Sequence, residues 1–349
     1  MKKKIFSIWL ILIVLTFPRP APGREPIRIT ADEYEKSMPR WSPDAEQISF
    51  IANKHGRLIL ALFSLRLKAQ TVLCDDVSTK GAYSWSPDGK YIAYTAKDNG
   101  RPSVNIVEVV SQKKERIHEG KNPTFSPNGR QLAFATDKNI LIYHLELKKI
   151  TPLTDEKETA IFGNLAWTPA GESIYYCKNG DLWSISSNGR DKKCVLNHTN
   201  LGSPPPFIDN PAISPTDHEI YFSLITEGLW SHPTNNILAR YEPKTGKTVQ
   251  LFEANSWSLS HSGKYIGYSL GKEIMIFNTV SQKSINFCEG FEPSFSQKES
   301  AIVYSKQDKT ANEIAIWFLD LKEPLRIDIF RRLNPGCCIL RHYRQKEGY

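Results

Sequence analysis

The sequence contains seven copies of one pattern, and this repetition limits its folds more than any other feature. Each copy begins with a hydrophobic residue followed by Ser or Thr, and successive copies start 44, 40, 42, 46, 46 and 36 residues apart. An aliphatic residue stands seven positions after each start, and an aromatic residue stands nine positions after it. Aromatic residues are only 11% of the chain, so seven of them at one offset indicate an internal repeat. The starting column is Trp41, Trp85, Phe125, Trp167, Ile213, Leu259 and Phe295; the aliphatic column is Ile48, Ile92, Leu132, Ile174, Ile220, Ile266 and Ile302; the aromatic column is Phe50, Tyr94, Phe134, Tyr176, Phe222, Tyr268 and Tyr304.

Each copy has the pattern of a small antiparallel sheet. In the second copy, "WSPDGKYIAY", Pro87 presets φ and Gly89 supplies a positive φ, so a tight turn joins two strands. Ile92 and Tyr94 are two positions apart and therefore share one face of the second strand. Two further strands follow in the copies, and four strands in about 42 residues is the unit of a propeller blade. The sequence predicts an all-β fold, a β-propeller of four-stranded antiparallel blades, with seven blades expected and six or eight as alternatives.

The predicted propeller spans residues 24–330, with repeats starting near 39, 83, 123, 165, 211, 257 and 293. Two segments compete for the outer position of the last blade, beside Ile314 to Leu319. "PIRIT" at 26–30 would join the two chain ends, and "LRIDIF" at 325–330 would fill the same position. Residues 331–349 are predicted to be a basic C-terminal tail.

The first 23 residues have the features of a secretory signal peptide. Lys2, Lys3 and Lys4 precede a 13-residue apolar run from Ile5 to Phe17, whereas a membrane span needs about 20 apolar residues. We therefore expect a periplasmic or secreted protein. The alternative is a membrane-anchored protein that keeps its N-terminal segment.

The distribution of charge argues against a nucleic-acid partner. The chain carries a net charge of +8, of which +4 lies in residues 1–23 and +3 in residues 323–349. The body between these segments carries only +1, so the electrostatic footprint of a nucleic-acid surface is missing.

The six cysteines do not suggest a disulfide framework. Cys74, Cys194 and Cys288 stand at similar places in three different copies, where three outer strands could not pair with one another. We expect them to be buried small hydrophobic residues. Cys337 and Cys338 are adjacent in the tail.

The repeats "RWSPD", "SWSPDGKYIAY" and "TFSPNGRQLAF" resemble those of the TolB-like β-propeller family, which is related to WD-repeat propellers. The match covers residues 39 to about 322. The resemblance implies an extracytoplasmic platform for protein interaction at the cell envelope. TolB itself carries an additional α/β domain before its propeller, and residues 24–38 are too few to form one, so the resemblance extends to the family alone.

No linear motif in the sequence indicates catalysis, a metal site or a cofactor. A Gly-x-Ser-x-Gly elbow is absent, and none of the eight His lies at a metal-ligand spacing. Asp44, Asp88 and Asn128 could be mistaken for calcium ligands, but their place in the Pro-Asp-Gly turns explains them. We therefore predict a non-catalytic, monomeric protein-binding scaffold. A site assembled across blades would escape a linear search, so a propeller hydrolase or lyase, or a carbohydrate-binding protein using the central channel, is the alternative.

Two lengthened connections mark a candidate partner-binding site. In a propeller the fourth-to-first and second-to-third strand connections emerge on one face, and here residues 197–210 and 226–236 are expanded in that way. They should bring five residues together for binding a protein partner. These residues are Pro205, Phe207, Leu229, Trp230 and His232. The alternative is that the aromatic side chains only pack the two loops on each other.

The opposite face carries the third-to-fourth turns, and each bears Lys or Arg. Such lysines usually protect sheet edges as solvated side chains. The alternative is a basic ring for anionic lipid or polysaccharide, which would give peripheral association with the envelope.

Overall fold

The computed structural model describes residues 26–78, 83–155, 160, 162–225, 236–308 and 313–320. The predicted signal peptide, the segment 325–330 and the basic tail lie outside the described residues, as do Cys337 and Cys338. Among the described residues there is no helix with the length and apolar character that a membrane crossing requires.

The described residues form four-stranded antiparallel units in chain order, which we number as blades 1 to 7. Blades 1 to 4 follow a short first strand, β1 (Ile27–Arg28). Blade 1 comprises β2 (Glu35–Trp41), β3 (Gln47–Lys54), β4 (Arg57–Ser64) and β5 (Ala69–Val77); blade 2, β6 (Tyr83–Trp85), β7 (Tyr91–Asp98), β8 (Arg101–Glu108) and β9 (Lys114–Glu119); blade 3, β10 (Lys121–Phe125), β11 (Gln131–Ala135), β12 (Ile140–His144) and β13 (Lys149–Pro152); blade 4, β14 (Phe162–Trp167), β15 (Ser173–Lys178), β16 (Asp181–Ser186) and β17 (Lys193–Leu196).

A short 3-10 turn, η1 (His198–Asn200), precedes blade 5. Blade 5 comprises β18 (Phe207–Ile213), β19 (Ile220–Ile225), β20 (Asn236–Glu242) and β21 (Lys247–Glu253); blade 6, β22 (Ser256–Leu259), β23 (Tyr265–Leu270), β24 (Glu273–Asn278) and β25 (Lys283–Glu289); blade 7, β26 (Phe291–Phe295), β27 (Ala301–Asp308) and β28 (Glu313–Asp320). Blades 1 and 2 are joined into one eight-stranded sheet by the pair Val77 and Ala96. The all-β propeller fold is confirmed, and the strand order is consistent with the predicted seven blades.

Strand β1 completes blade 7. Ile27 pairs with Phe318 and Arg28 with Trp317, so residues 26–30 occupy the outer position for which two segments competed. Thr30 continues this contact, because its Oγ1 accepts a 3.0 Å hydrogen bond from the backbone N of Ile316. The two ends of the predicted repeat array are therefore joined within one sheet.

The hydrophobic core is divided among the contacts between neighbouring blades. Seven clusters of buried side chains occur in the described residues, and each draws on two consecutive blades. An open row of seven blades would have only six such contacts. The seventh joins blade 1 to blade 7, where Phe50 and Ile48 pack with Val303 and Ile316. The blades therefore close into a ring.

The repeated columns of the sequence form this core. All seven residues of the aliphatic column are 0% exposed, and those of the aromatic column are at most 3% exposed. The first strands of neighbouring blades contact one another, as β2 does with β26 and β10 with β14. First strands therefore line the axis of the ring, and fourth strands lie at its perimeter.

The Pro-Asp-Gly turns have the hydrogen bonds expected of turn residues. In blade 2 the buried Ser86 hydroxyl donates to Asp88 Oδ1 at 2.6 Å and accepts from the backbone N of Tyr91 at 2.9 Å. Asp88 Oδ1 also accepts from the backbone N of Lys90 at 3.1 Å. Asp44 and Asn128 make the equivalent bonds in blades 1 and 3. The interpretation of these residues as turn formers is confirmed.

The expectation for the cysteines is only partly correct. Cys74 is buried, Cys288 is half-buried, and both are free thiols. Cys194 is a free thiol as well, but it is exposed, so its assignment as a buried residue is wrong. It lies on β17, at the perimeter of blade 4, where part of the strand has its side chains in solvent.

Candidate functional site

The lengthened connection before blade 5, residues 197–206, begins with a capped turn. The Asn197 side chain accepts a hydrogen bond from the backbone N of Thr199 at 2.9 Å and so caps η1. The connection leads to Pro205, which is exposed, and then to Phe207 at the start of β18. Of the five predicted partner-binding residues, these two are described. Leu229, Trp230 and His232 lie outside the described residues, so their meeting with Phe207 stays a prediction.

Phe207 is half exposed but firmly positioned. Its ring is 50% exposed and stacks on the His198 imidazole, with 5.6 Å between ring centroids and 13° between planes. Beneath it lies Gly180, where an added Cβ would come within 2.7 Å of Phe207 Cδ1. The glycine therefore allows the ring to lie flat on the second-to-third strand turn of blade 4.

His198 is itself fixed by blade 4. Its Nδ1 lies 2.6 Å from Asp181 Oδ1, and the same oxygen accepts a 2.9 Å hydrogen bond from the His198 backbone N. The sequence analysis did not assign these two residues to the site. Nothing in the linear pattern marks them, since Asp181 begins an ordinary third strand and His198 follows 17 residues later.

A second candidate site lies at the axis, where the first strands bulge. Four of these strands carry a residue with positive φ three positions before the starting column: Met38 (55°), Asn122 (55°), Asn210 (54°) and Glu292 (54°). Non-glycine residues adopt this conformation only at an energetic cost, and residues strained in this way are found preferentially at functional sites. In each of the four strands the pairing register shifts next to this residue.

Side chains of neighbouring blades accept hydrogen bonds from the bulged backbone. Met38 N donates to Glu292 Oε2 at 2.7 Å, and Glu292 N donates to Ser256 Oγ at 3.0 Å. Asp209 Oδ1 of blade 5 accepts from Asn164 N of blade 4 at 3.1 Å. These bonds tie successive blades together around the axis.

A cavity of about 460 Å³ opens between blades 1, 2, 6 and 7. Its lining includes Arg40, Glu292 and three tryptophans, Trp41, Trp85 and Trp257. Each indole N–H donates to the preceding blade: Trp41 to Ser294 O at 3.1 Å, Trp85 to Ser49 Oγ at 2.8 Å, and Trp257 to Ser223 Oγ at 2.9 Å.

Ser84 and Ser258 also line this cavity, and their hydroxyl oxygens are buried without a hydrogen-bond partner in the described structure. Buried polar atoms are nearly always satisfied by protein, water or ligand. The cavity is therefore a candidate site for a small polar ligand.

Beside the cavity, Arg40 and Tyr83 form a structural pair. The Arg40 guanidinium lies 4.8 Å from the centre of the Tyr83 ring, and the phenol donates to Met38 O at 2.5 Å. Burial raises the pKa of Tyr83 to about 12, against the opposing effect of Arg40. The phenol is therefore neutral near pH 7 and holds the bulge of β2 in place.

Two thiols, those of the buried Cys74 and the half-buried Cys288, lie in equivalent contacts between blades. Burial raises the pKa of Cys74 to about 12 although its neighbour Tyr94 opposes the change, and Cys288 beside Tyr304 is likewise raised to about 12. Protonated thiols are poor nucleophiles and poor metal ligands. The described residues contain no group of three or more His, Cys, Asp or Glu side chains arranged to hold a metal ion.

Comparisons with known proteins agree with this architecture. A family model described as the TolB beta propeller domain matches residues 23–216. No curated protein matches the sequence.

Among solved structures, an oligogalacturonate lyase from Vibrio parahaemolyticus is similar with a TM-score of 0.66 at 11% identity, covering 87% of this chain and 95% of that one. An oligogalacturonate lyase in complex with manganese gives a TM-score of 0.67 at 13% identity, with the same coverage of 87% and 95%. A protein assigned as TolB from Agrobacterium tumefaciens gives 0.50 at 16% identity, covering 65% and 84%. At these identities the structures show a shared fold alone. The family model, which spans more than half of the sequence, shows that the chain belongs to the TolB beta propeller domain family.

Proposed function

We propose that this chain is an exported, non-catalytic scaffold that binds a protein partner through the loops around Phe207. The first 23 residues, with their basic start and apolar run, support export to the periplasm or the exterior. Retention of that segment as an anchor would leave the propeller in the same compartment. The loops concerned are residues 197–210 and 226–236.

The observation that carries the proposal is how Phe207 is presented. An aromatic ring that is 50% exposed, stacked on His198 and seated over Gly180 has little conformational freedom to lose on binding. Pre-ordered aromatic residues make effective binding anchors because the entropy cost of association is reduced. Exposed Pro205 adds a second rigid contact two residues away.

The test is capture of partners from the native envelope by the wild-type chain and by Phe207→Ala, followed by mass spectrometry. We expect at least one captured protein to be lost with Phe207→Ala while the melting temperature changes little. Leu270→Ala is the matched control, because Leu270 is 44% exposed at the end of β23 on the same face, one blade away. It should leave capture unchanged.

Two outcomes would contradict the proposal. Equal capture by the wild type and by Phe207→Ala would exclude the ring as an anchor. A large loss of stability in Phe207→Ala would assign the ring to packing of the loops instead. Trp230→Ala extends the same test to the second loop.

The axial cavity favours a second candidate function, binding or cleavage of a carbohydrate. Its size, its three tryptophans and its single arginine have the apolar and polar balance of ligand pockets. Two of the structures with a similar fold are oligogalacturonate lyases, which makes an acidic oligosaccharide the natural probe. A saturable change in tryptophan fluorescence with oligogalacturonate, abolished by Arg40→Gln, would favour this function, and formation of a cleaved product would make it an enzyme. No response would argue against both.

A further inference from the structure

Four third-to-fourth strand turns present an aliphatic side chain to solvent. The side chains are Leu67 (72% exposed), Val110 (90%), Leu147 (73%) and Val280 (80%), in blades 1, 2, 3 and 6. They are the four most exposed of the large hydrophobic residues recorded in the described part of the chain. Single exposed hydrophobic residues need no explanation. Their recurrence in one type of turn does need an explanation, because the topology places all of these turns on the same face of the ring.

These turns lie on one face of the ring and at its perimeter. In every blade the third strand runs towards this face and the fourth strand leaves it, so each third-to-fourth turn is found there. First strands line the axis, which puts these turns far from it. The four aliphatic side chains are therefore spread around the rim of a single face, which we call the turn face.

Basic residues accompany the aliphatic ones. The segments 65–69, 109–114, 145–149 and 279–283 contain seven basic residues and one acidic residue. The basic residues are Arg66, Lys68, Lys113, Lys114, Lys148, Lys149 and Lys283. Lys148 and Lys114 reach neighbouring carboxylates, at 3.3 Å from Glu115 and 3.4 Å from Asp76, but both pairs are partly exposed and screened. These four turns therefore combine exposed aliphatic tips with an excess of positive charge.

The chain outside the propeller is attached at this face as well. Strand β1 is antiparallel to β28, and Ile27 pairs with Phe318 near the end of β28. Residue 26 and residue 320 therefore both lie at the turn-face end of blade 7. The segments that continue from them, 1–23 and 323–349, carry net charges of +4 and +3.

We propose that the turn face docks on an anionic lipid bilayer as a peripheral membrane-binding surface. Lysines near a bilayer are attracted to anionic headgroups, and aliphatic tips enter the interface, a combination of two weak signals that gives stable association. Phe207 and the connection before it lie on the opposite face, since this connection joins a fourth strand to a first strand. Docking in this orientation would leave Phe207 pointing into the aqueous compartment.

The test measures binding of the full chain to vesicles of phosphatidylglycerol and phosphatidylcholine by sedimentation, with pure phosphatidylcholine vesicles as the neutral reference. The turn variant replaces all four aliphatic residues: Leu67→Gln, Val110→Gln, Leu147→Gln and Val280→Gln. We expect it to bind anionic vesicles at least tenfold more weakly than the wild type. Raising the ionic strength from about 0.05 M to about 0.5 M should weaken wild-type binding by a similar factor. Hydrogen exchange should show vesicle-induced protection of residues 65–69 and 109–114.

Leu270→Gln on the opposite face is the control and should bind like the wild type. The altered side chains of the turn variant are at least 72% exposed, so its melting temperature should be unchanged, which separates lost binding from misfolding. Equal sedimentation of the wild type and the turn variant would overturn the proposal, because the N-terminal segment would then account for binding. Equal binding of the wild type to neutral and anionic vesicles would also overturn it, as would vesicle-induced protection confined to other segments. The same holds if the turn variant loses binding to an anionic polysaccharide but binds anionic vesicles like the wild type.

Discussion

Arg28 attaches the N-terminal strand β1 to blade 7 through two ion pairs, and Arg28→Ala tests this attachment. Its Nη1 lies 2.7 Å from Asp308 Oδ2, and its second terminal nitrogen pairs with Glu313. The Arg28 side chain is 24% exposed, and those of Asp308 and Glu313 are 10% and 8% exposed. One residue of a two-residue strand thus compensates two largely buried carboxylates on blade 7.

The expected cost follows from that burial. Removing one partner of a buried ion pair costs about 3–5 kcal/mol, because the remaining charge is left without compensation in a poorly solvated place. The partial exposure of Arg28 and the further contacts of Asp308 put the expected loss at the lower end, about 3 kcal/mol. Adding Glu313→Gln to Arg28→Ala removes one uncompensated charge and should recover about half of the loss.

Urea unfolding followed by circular dichroism and tryptophan fluorescence gives the measurement. Arg57→Ala is the matched control, because Arg57 pairs with Asp75 at 2.8 Å but the two side chains are 64% and 50% exposed. An exposed pair of this kind is worth at most about 1 kcal/mol. The free energy of unfolding should therefore fall clearly further in Arg28→Ala than in Arg57→Ala.

The reasoning fails if Arg28→Ala is no more destabilising than Arg57→Ala, or if Glu313→Gln recovers nothing. The first result would mean that residues 26–30 contribute little to closure. A segment such as 325–330 would then have to cover the outer edge of blade 7.

Two further predictions concern the contacts between blades. Gly290→Ala should destabilise the fold by about 2 kcal/mol or more in the same unfolding assay, because the new Cβ would lie 2.6 Å from Tyr304 Cδ2 at a φ of +154°. Gly246→Ala is the control, because Gly246 has a φ of +71° but no atom within 4 Å, and it should lose about 1 kcal/mol. Equal losses of stability in the two variants would refute the clash. In alkylation of the folded chain mapped by mass spectrometry, exposed Cys194 should be labelled and buried Cys74 should not until the protein unfolds, since burial raises the pKa of Cys74 to about 12; equal labelling rates would contradict this.

The core of the propeller could be predicted from the sequence because it depends on local spacing. Ile92 and Tyr94 share a strand face, as do the equivalent two residues of every other copy, and both are 0% exposed in the structure. The Ser86 and Asp88 turn likewise follows from residues within six positions of one another. Periodicity over short distances is enough to fix which side chains point between blades.

The ring closure and the site geometry could not be predicted, because they depend on residues far apart in sequence. Two segments fitted the outer edge of blade 7. The contacts that distinguish the first of them join Arg28 to Asp308 and Glu313, which are 280 and 285 positions away in the sequence. The positive φ of Met38 was equally hidden, since methionine does not favour that conformation and Glu292 of the last blade accepts its N–H. The sequence indicated exposure of Phe207 but gave no sign of its stacking on His198.

Repetition within the chain also provides an internal control for assigning function. A residue that recurs in all seven copies, such as those of the aromatic column, is explained by packing that every blade needs. A residue present in only one copy is not required by the blade architecture, because the other blades form without it. Arg40 in the axial cavity and Phe207 on its loop are departures of this kind. The exposed aliphatic tips of the turn face occur in four blades, and the equivalent turns of blades 4 and 5 have polar residues or proline, so the blade architecture does not require these tips either. Functional differences between propellers are therefore expected to lie in such departures, on the faces and at the axis, where substitution leaves the contacts between blades intact.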